Sequence, residues 1–547
     1  MPRFVVAVLA FAWLSIGVAA TEDLQRDGAG QDAEMVASGQ RMYRDGLLPT
    51  GKPMQGLAQA DVQRRGKDAA CVACHRRSGL GASEGQFNIR PISALALFQR
   101  QPVTAPNPRI AHQLGTPVRL PYDDALLARA IRDGVDVTGA PLNPLMPRYA
   151  LDDAQMEPLI AYLKTLSSGS SPGVDGEDIH LATIIQPSVA PAQRNAMLQI
   201  IETFVRDKNA GTRSELHRRE AGGMRMHRSY RTWVHHVWDL SGPSESWGDQ
   251  LEALYQRQPV FAMVSGLGNS SWRPIHEFSE RFELPCIFPQ ADLPVVSGDG
   301  FYTIYLSKGL LLEADVLAKY LRDQPTQGRV IQVYGRDEAG SAVAREFRAA
   351  MGGARQIEDR VVDGPATESF WEQLASETSA AVIVSWLPKR DLDSAGRLVN
   401  ASPQLKAVYF SSTLLSDAHA SLAMQADARF RVIYPLELPS AREARQSRAR
   451  LWLRSKNIPL TDEKLQINTY FAVTLTGDVL SHIMDSFSRD YFVERIEHEV
   501  TKSLSPSIYP HVSLGPGQRF ASKGSYIIPL GGIENRDFKP LSAWIVP

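Results

Sequence analysis

The most chemically demanding stretch of the chain is CVACH, residues 71–75: two thiols two residues apart with an imidazole directly behind them. Three chemistries use a Cys-x-x-Cys pair. A redox dithiol opens a helix after a buried strand in a βαβ unit, and the residues before Cys71 offer no such strand. A structural zinc site needs four ligands, yet the only other cysteine is Cys286, in the apolar run LPCIFP, where it reads as a buried small hydrophobe. Covalent haem attachment explains all three residues. Cys71 and Cys74 add to the two vinyl groups on one porphyrin edge, and His75 turns its imidazole onto the iron as proximal ligand. One covalent haem c is the cofactor expected.

Iron held this way takes a sixth ligand, and a methionine thioether raises the potential of the couple. Met146 sits in PLNPLMPRY, a proline-flanked loop able to approach the open haem face. Met156 begins a helical run and reads as a packing residue, and His112 reads as a surface loop residue. Met146 is the expected distal ligand. With both axial positions filled, no coordination position remains for a substrate, so the expectation is an electron carrier and not an enzyme. The chain also has no Walker loop, HExxH or paired-carboxylate signal.

The 547 residues exceed one ordinary domain, and a net charge of −1 offers nothing to nucleic acid or an anionic membrane. Residues 1–20, MPRFVVAVLAFAWLSIGVAA, read as a cleaved signal peptide: an early arginine, an apolar run, then small residues. A periplasmic location without a remaining membrane span follows, in keeping with covalent haem attachment outside the cytoplasm. A loop-rich helical unit over 35–168 carries CVACH and ends in the amphipathic MEPLIAYLKTL. The Ser/Gly/Pro-rich SSGSSPGVDGED closes it and supplies a flexible linker over 169–178.

Over 179–547 apolar strands alternate with helices: HLATIIQP, WVHHVWDL, PVFAMVSGLG, GRVIQVYG, AAVIVSWL, LKAVYFSS and FRVIYPL, each followed by a helical pattern or a turn. That alternation predicts mostly parallel sheets, and the number of units suits two doubly wound lobes. Ligands of such sheets bind beyond the carboxyl ends of the strands. His235-His236 in WVHHVWDL invites a metal, but neighbours on a strand point to opposite faces, so at least one belongs to the core.

CVACH followed by YDDALLARAIRDGVDVTGAPLNPLMPRYALDDAQMEPLIAYLKTL resembles a class I mono-haem cytochrome c domain over about residues 35–166. The resemblance implies an all-α fold and single-electron transfer. RAIRDGVDVTGAPLNPLMP is similar to cytochromes that serve membrane-associated dehydrogenases, which implies a periplasmic dehydrogenase or another cytochrome as redox partner. Residues 177–547 resemble the type I periplasmic binding proteins of the branched-chain amino-acid group, substrate receptors of ABC transporters, in HLATIIQP, PVFAMVSGLG, ELPCIFPQADLP, YTIYLSKGLLLEADVLAKYL and SLGPGQRFASKGSYIIPL.

The second resemblance implies an α/β fold of two lobes closing on a small solute. In such proteins the loop after the third strand meets a ligand carboxylate; here it offers Asn269, Ser270 and Ser271. Tyr334, Arg336 and Trp386 follow strands of the second lobe and are further cleft candidates. The family's ammonium-binding acid has no counterpart legible here. The basic segment 214–231, SELHRREAGGMRMHRSYR, departs from the family's short connection and reads as a solvated loop or a docking patch for an acidic partner. Two functions fit the whole: an electron carrier fused to a solute-binding module, or a solute receptor whose binding is coupled to the redox state of its haem.

Overall fold

The computed structural model describes residues 30–547 apart from 85–86, 103–117, 223–230, 297, 299, 325–327, 378–381, 392–404, 416–426, 484–485, 505 and 533–538. The signal segment and His112 lie outside the described residues. The chain divides into two compact units between Ser170 and Ser171.

The first unit is built on three helices: 30–45, Asp124–Asp133 and Asp153–Thr165. Their ends are written in the sequence. Asp123 caps the second by accepting from Leu126 N at 2.8 Å, and Gly134 stops it in the left-handed conformation at φ 69°. Asp152 and Gln155 form a capping box on the third. The first and last helices cross where Gly39 meets Pro158: a Cβ on Gly39 would stand 1.9 Å from the Pro158 carbonyl oxygen. Tyr43 and Tyr162 pack beside this crossing with ring centroids 5.4 Å apart.

The unit is not purely helical. Gln55–Ala58 pairs antiparallel with Val62–Arg65 and with Arg148–Tyr149, and two shorter antiparallel pairs occur further along. Long stretches between short helices carry backbone donors and acceptors that must pair somewhere, and these small ladders supply the partners.

The second unit has two sheets. In the first, Asp178–Ile185 is central, flanked in parallel by Thr232–Asp239 along its length, by Ala262–Val264 at Leu181 and Ala182 and by Leu267–Gly268 at Ile185. Cys286–Ile287, Gln290–Ala291 and Thr303–Ile304 complete it. The second sheet runs Ile357–Val362, Val330–Gly335, Val382–Trp386, Ala407–Ser411, Phe430–Tyr434, all parallel, with Tyr526–Pro529 antiparallel at the edge. Val382–Trp386 and Ala407–Ser411 are buried at every residue, as strands covered on both faces must be. The helix after the first strand runs from Pro191 to Gly222, well past the AMLQIIETFV that marks it in the sequence, and so takes up part of the basic segment 214–231. Side chains 213–230 lie outside the described residues.

The stretch read as a flexible linker, 169–178, is largely tied down. Ser171 N donates to Phe487 O at 2.8 Å, Pro172 O accepts from Arg489 Nη2, and Gly173 O accepts from His180 N. On the other side Ser167 Oγ donates to Ser78 O at 2.8 Å. Ser168, Gly169 and Ser170 remain between these anchors.

Candidate functional site

In the first unit, one helical turn over Val72–His75 organises the thiols. His75 N and Cys74 N both donate to Cys71 O, at 2.9 and 3.2 Å, so Cys71, Cys74 and His75 stand at i, i+3 and i+4 on one side of the turn. Arg76 ends it at φ 64°, a conformation costly for a side chain, and Tyr43 Oη holds the Arg76 carbonyl at 2.7 Å. Both cysteines are free thiols, Cys71 half-buried and Cys74 exposed. Burial pushes the Cys71 thiol up to about 12. His75 Nδ1 lies 3.1 Å from Arg90 O. That carbonyl accepts a hydrogen bond from Nδ1–H and leaves the Nε2 lone pair free to bind a metal. Burial lowers the pKa of His75, which favours the same neutral form.

Met146 sits half-buried in a loop fastened by Arg148. Arg148 Nη1 donates to Met146 O at 2.5 Å and Nη2 to Leu142 O at 3.2 Å. Leu142 N returns to Gly134 O, and a Cβ at Gly134 would overlap the Arg148 guanidinium. Three residues after Met146, Tyr149 Oη donates to Ala69 O at 2.8 Å, tying this loop to the backbone just before Cys71. Met156 is buried in the helical core, where it packs. Two free thiols, an imidazole with its proton assigned and a methionine on a fastened loop are a donor set that fits haem c. Bound here, a haem supplies a one-electron iron couple, with His75 and Met146 as the residues that would hold the iron.

In the second unit a cavity of about 150 Å³ opens at the carboxyl ends of both sheets. The first sheet contributes Asn269, Gln290 and Asp292, the second Ser412 and Tyr434, and the start of helix Glu463–Ile483 contributes Lys464. Burial works against the Lys464 charge, but Tyr509, Asp292, Glu313 and Asp462 outweigh it and hold the ammonium above its ordinary pKa. Behind the wall, Glu313 is fully buried; its Oε1 accepts from Thr413 N at 3.0 Å and Thr413 Oγ1 at 2.7 Å.

Of the six cleft residues predicted from sequence, Asn269 lines this cavity. Ser270 and Ser271 are turned to other work. Ser270 N and Oγ both donate to Gln186 Oε1, at 3.1 and 2.8 Å, Gln186 Nε2 donates to Ser271 O, and Ser271 Oγ caps Arg273 N. Trp386 is the last residue of its strand and buries its ring against Phe347. Tyr334 is half-buried within its strand, and Arg336 is an exposed partner of Asp363. His235 and His236 do point apart: His235 Nε2 meets Thr183 Oγ1 at 2.8 Å, and His236 Nε2 meets His180 Nδ1 at 3.0 Å. Cys286 is fully buried. Sequence reasoning missed Asp292 and Lys464, which lie 172 positions apart (464 − 292) and are each unremarkable in their own segment.

Residues 36–167 match the model of the cytochrome c family, so the first unit is a cytochrome c domain. Among solved structures, the chain is similar to a fatty acid ABC transporter substrate-binding protein from Thermomonospora curvata (15% identity, 69% of this chain and 95% of that one, TM-score 0.49). It is also similar to a branched-chain amino acid ABC transporter protein from Thermus thermophilus with bound valine (11%, 68% and 98%, TM-score 0.47) and to a solute-binding protein from R. palustris in complex with benzoate (10%, 68% and 98%, TM-score 0.48). No curated protein matches the chain. Among the described residues no helix is long and apolar enough to cross a membrane.

Proposed function

We propose that this protein is a periplasmic electron carrier joined to a solute-binding module, serving a dehydrogenase or another cytochrome of a respiratory chain. The observation that carries the reading is His75: its Nδ1 proton is committed to the Arg90 carbonyl at 3.1 Å, within one helical turn of two free thiols. This is a metal ligand with its tautomer fixed. The Met146 loop, clamped by Arg148, supports a filled sixth position and hence electron transfer without catalysis at the iron. The two-lobed second unit, with a polar cavity at its strand ends, supports recognition of a small solute. Joining the two keeps them at an effective concentration near millimolar.

The test uses protein purified from its own host. Denatured chains should retain one haem by mass, and the Cys71→Ala, Cys74→Ala double variant should lose it. Met146→Ala should lower the midpoint potential and abolish reduction by the partner dehydrogenase while leaving solute binding intact. Haem that departs on denaturation of the unmodified chain would falsify covalent attachment. A potential unmoved by Met146→Ala would remove Met146 from the iron.

A further inference from the structure

The cavity of the second unit carries its own account of what it binds. This account rests on reading that unit as a solute-binding module. Size comes first. A cavity of about 150 Å³ suits a molecule of about benzene's size or slightly more, roughly six to eight non-hydrogen atoms.

Charge comes second. Lys464 and Arg442 stand against Asp292, Asp462 and Glu463 in its lining, two positive groups and three negative. Arg442 and Glu463 pair with each other at 3.3 Å. A simple anion meets the remaining carboxylates, and a simple cation meets Lys464. A net-neutral molecule is favoured.

The third consideration is unspent hydrogen-bonding capacity. Lys464 Nζ and the Asp292 carboxylate attract each other, but among the described residues neither has a hydrogen bond or an ion pair within 4.0 Å. Gln290 Nε2 is buried without an acceptor, and the buried Ser412 lines the same wall. Donors and acceptors therefore face one small space together. Buried polar groups of this kind must be satisfied, and a hydroxyl does both jobs at once, accepting from Lys464 and donating to Asp292. The fourth is a corner already filled. The Ser270 N–H and hydroxyl that could receive a carboxylate are bonded to Gln186 Oε1 at 3.1 and 2.8 Å. A Cβ on Gly268 would stand 2.3 Å from the same Gln186 side chain, so the amide fills that corner closely.

We propose that this cavity binds a small neutral polyol of three or four carbons, its neighbouring hydroxyls bridging Lys464 and Asp292. The amino-acid ligand class is replaced because its carboxylate corner is occupied by Gln186.

The test is titration calorimetry on the full haem-loaded protein, prepared without glycerol, using glycerol, erythritol, L-leucine and glycolate. Glycerol or erythritol should bind at one per chain, and leucine and glycolate should give no heat. Lys464→Met and Asp292→Asn should each weaken the polyol about tenfold or more, as loss of a hydrogen bond to a charged group does. Gln290→Ala, a milder change, should weaken it a few-fold, and ligand-free melting curves confirm that each variant is folded. Binding of leucine or glycolate at comparable affinity overturns the proposal. So does polyol binding indifferent to Lys464→Met and Asp292→Asn, and so does silence from every polyol. Haem mass and a reversible redox titration on the same sample keep the two readings separate: an intact haem couple with no polyol binding removes this inference alone.

Discussion

Glu313 shows at the scale of one residue how the second unit stores a pH response. Its carboxyl is fully buried, and burial pushes its pKa from 4.5 up to about 7, against the pull of Ser411 and Thr413 hydrogen bonds and of Lys464. Between those two values the folded chain keeps a proton that the unfolded chain has released. Stability therefore falls as pH rises through this window, by up to about 3 kcal/mol, and the loss is complete above the folded value. Glu313→Gln keeps the Oε1 acceptor for Thr413 and removes the titration. Thermal melts at pH 5 and pH 8 should show the parent losing more stability over that interval than the variant. Equal losses would mean that Glu313 is hydrated and ordinary. Nothing in the sequence marked this residue: only the packing of helix Leu310–Asp323 against Thr413 buries the acid.

At the scale of elements, helix Arg489–Glu499 is anchored by its first residue. Arg489 is buried and donates to the carbonyls of Pro172, Val260, Phe261 and Phe282 and to Tyr255 Oη, with its guanidinium 5.6 Å from the Tyr255 ring centroid. One planar cation thus fixes the start of the unit, the entry to strand Ala262–Val264 and the turn after helix Arg273–Arg281. A methionine in its place would strand several buried carbonyls, each costing about 1–3 kcal/mol, so Arg489→Met should destabilise the second unit by at least about 3 kcal/mol. Urea unfolding followed by tryptophan fluorescence measures it, and a change below 1 kcal/mol would show that water replaces the arginine.

The elements themselves were largely legible. Asp123 and Asp152 mark helix starts by side-chain capping, and the VIVSW and AVYFS runs mark buried parallel strands, because both signals are local. The cytochrome motif was legible because attachment chemistry fixes its spacing. The cleft was not. Trp386 ends a strand buried at every residue and packs against Phe347, Ser270 and Ser271 are captured by a glutamine 84 and 85 positions earlier (270 − 186 and 271 − 186), and Lys464 reaches the cavity only through the placement of a long helix.

For the whole molecule, the question is whether the two units act on one another. Each has its own hydrophobic core: Met42, Leu127 and Leu159 belong to a cluster confined to the first unit, while Ile184, Val333 and Phe471 belong to clusters of the second. Between the anchors at Ser167 and Ser171 the connection is short, so fusion secures proximity without a shared core. Coupling between a ligand and a haem potential is reciprocal and needs an element whose state both sites bias. A protease site inserted between Gly169 and Ser170 should therefore release two folded fragments on cleavage. The haem fragment should keep the midpoint potential of the intact chain, and the fragment from Ser171 onward should keep its melting temperature. Saturating solute should leave the potential of the intact chain unmoved as well. A potential that shifts on cleavage, or on addition of solute, would replace the carrier with a receptor whose ligand and haem report on each other.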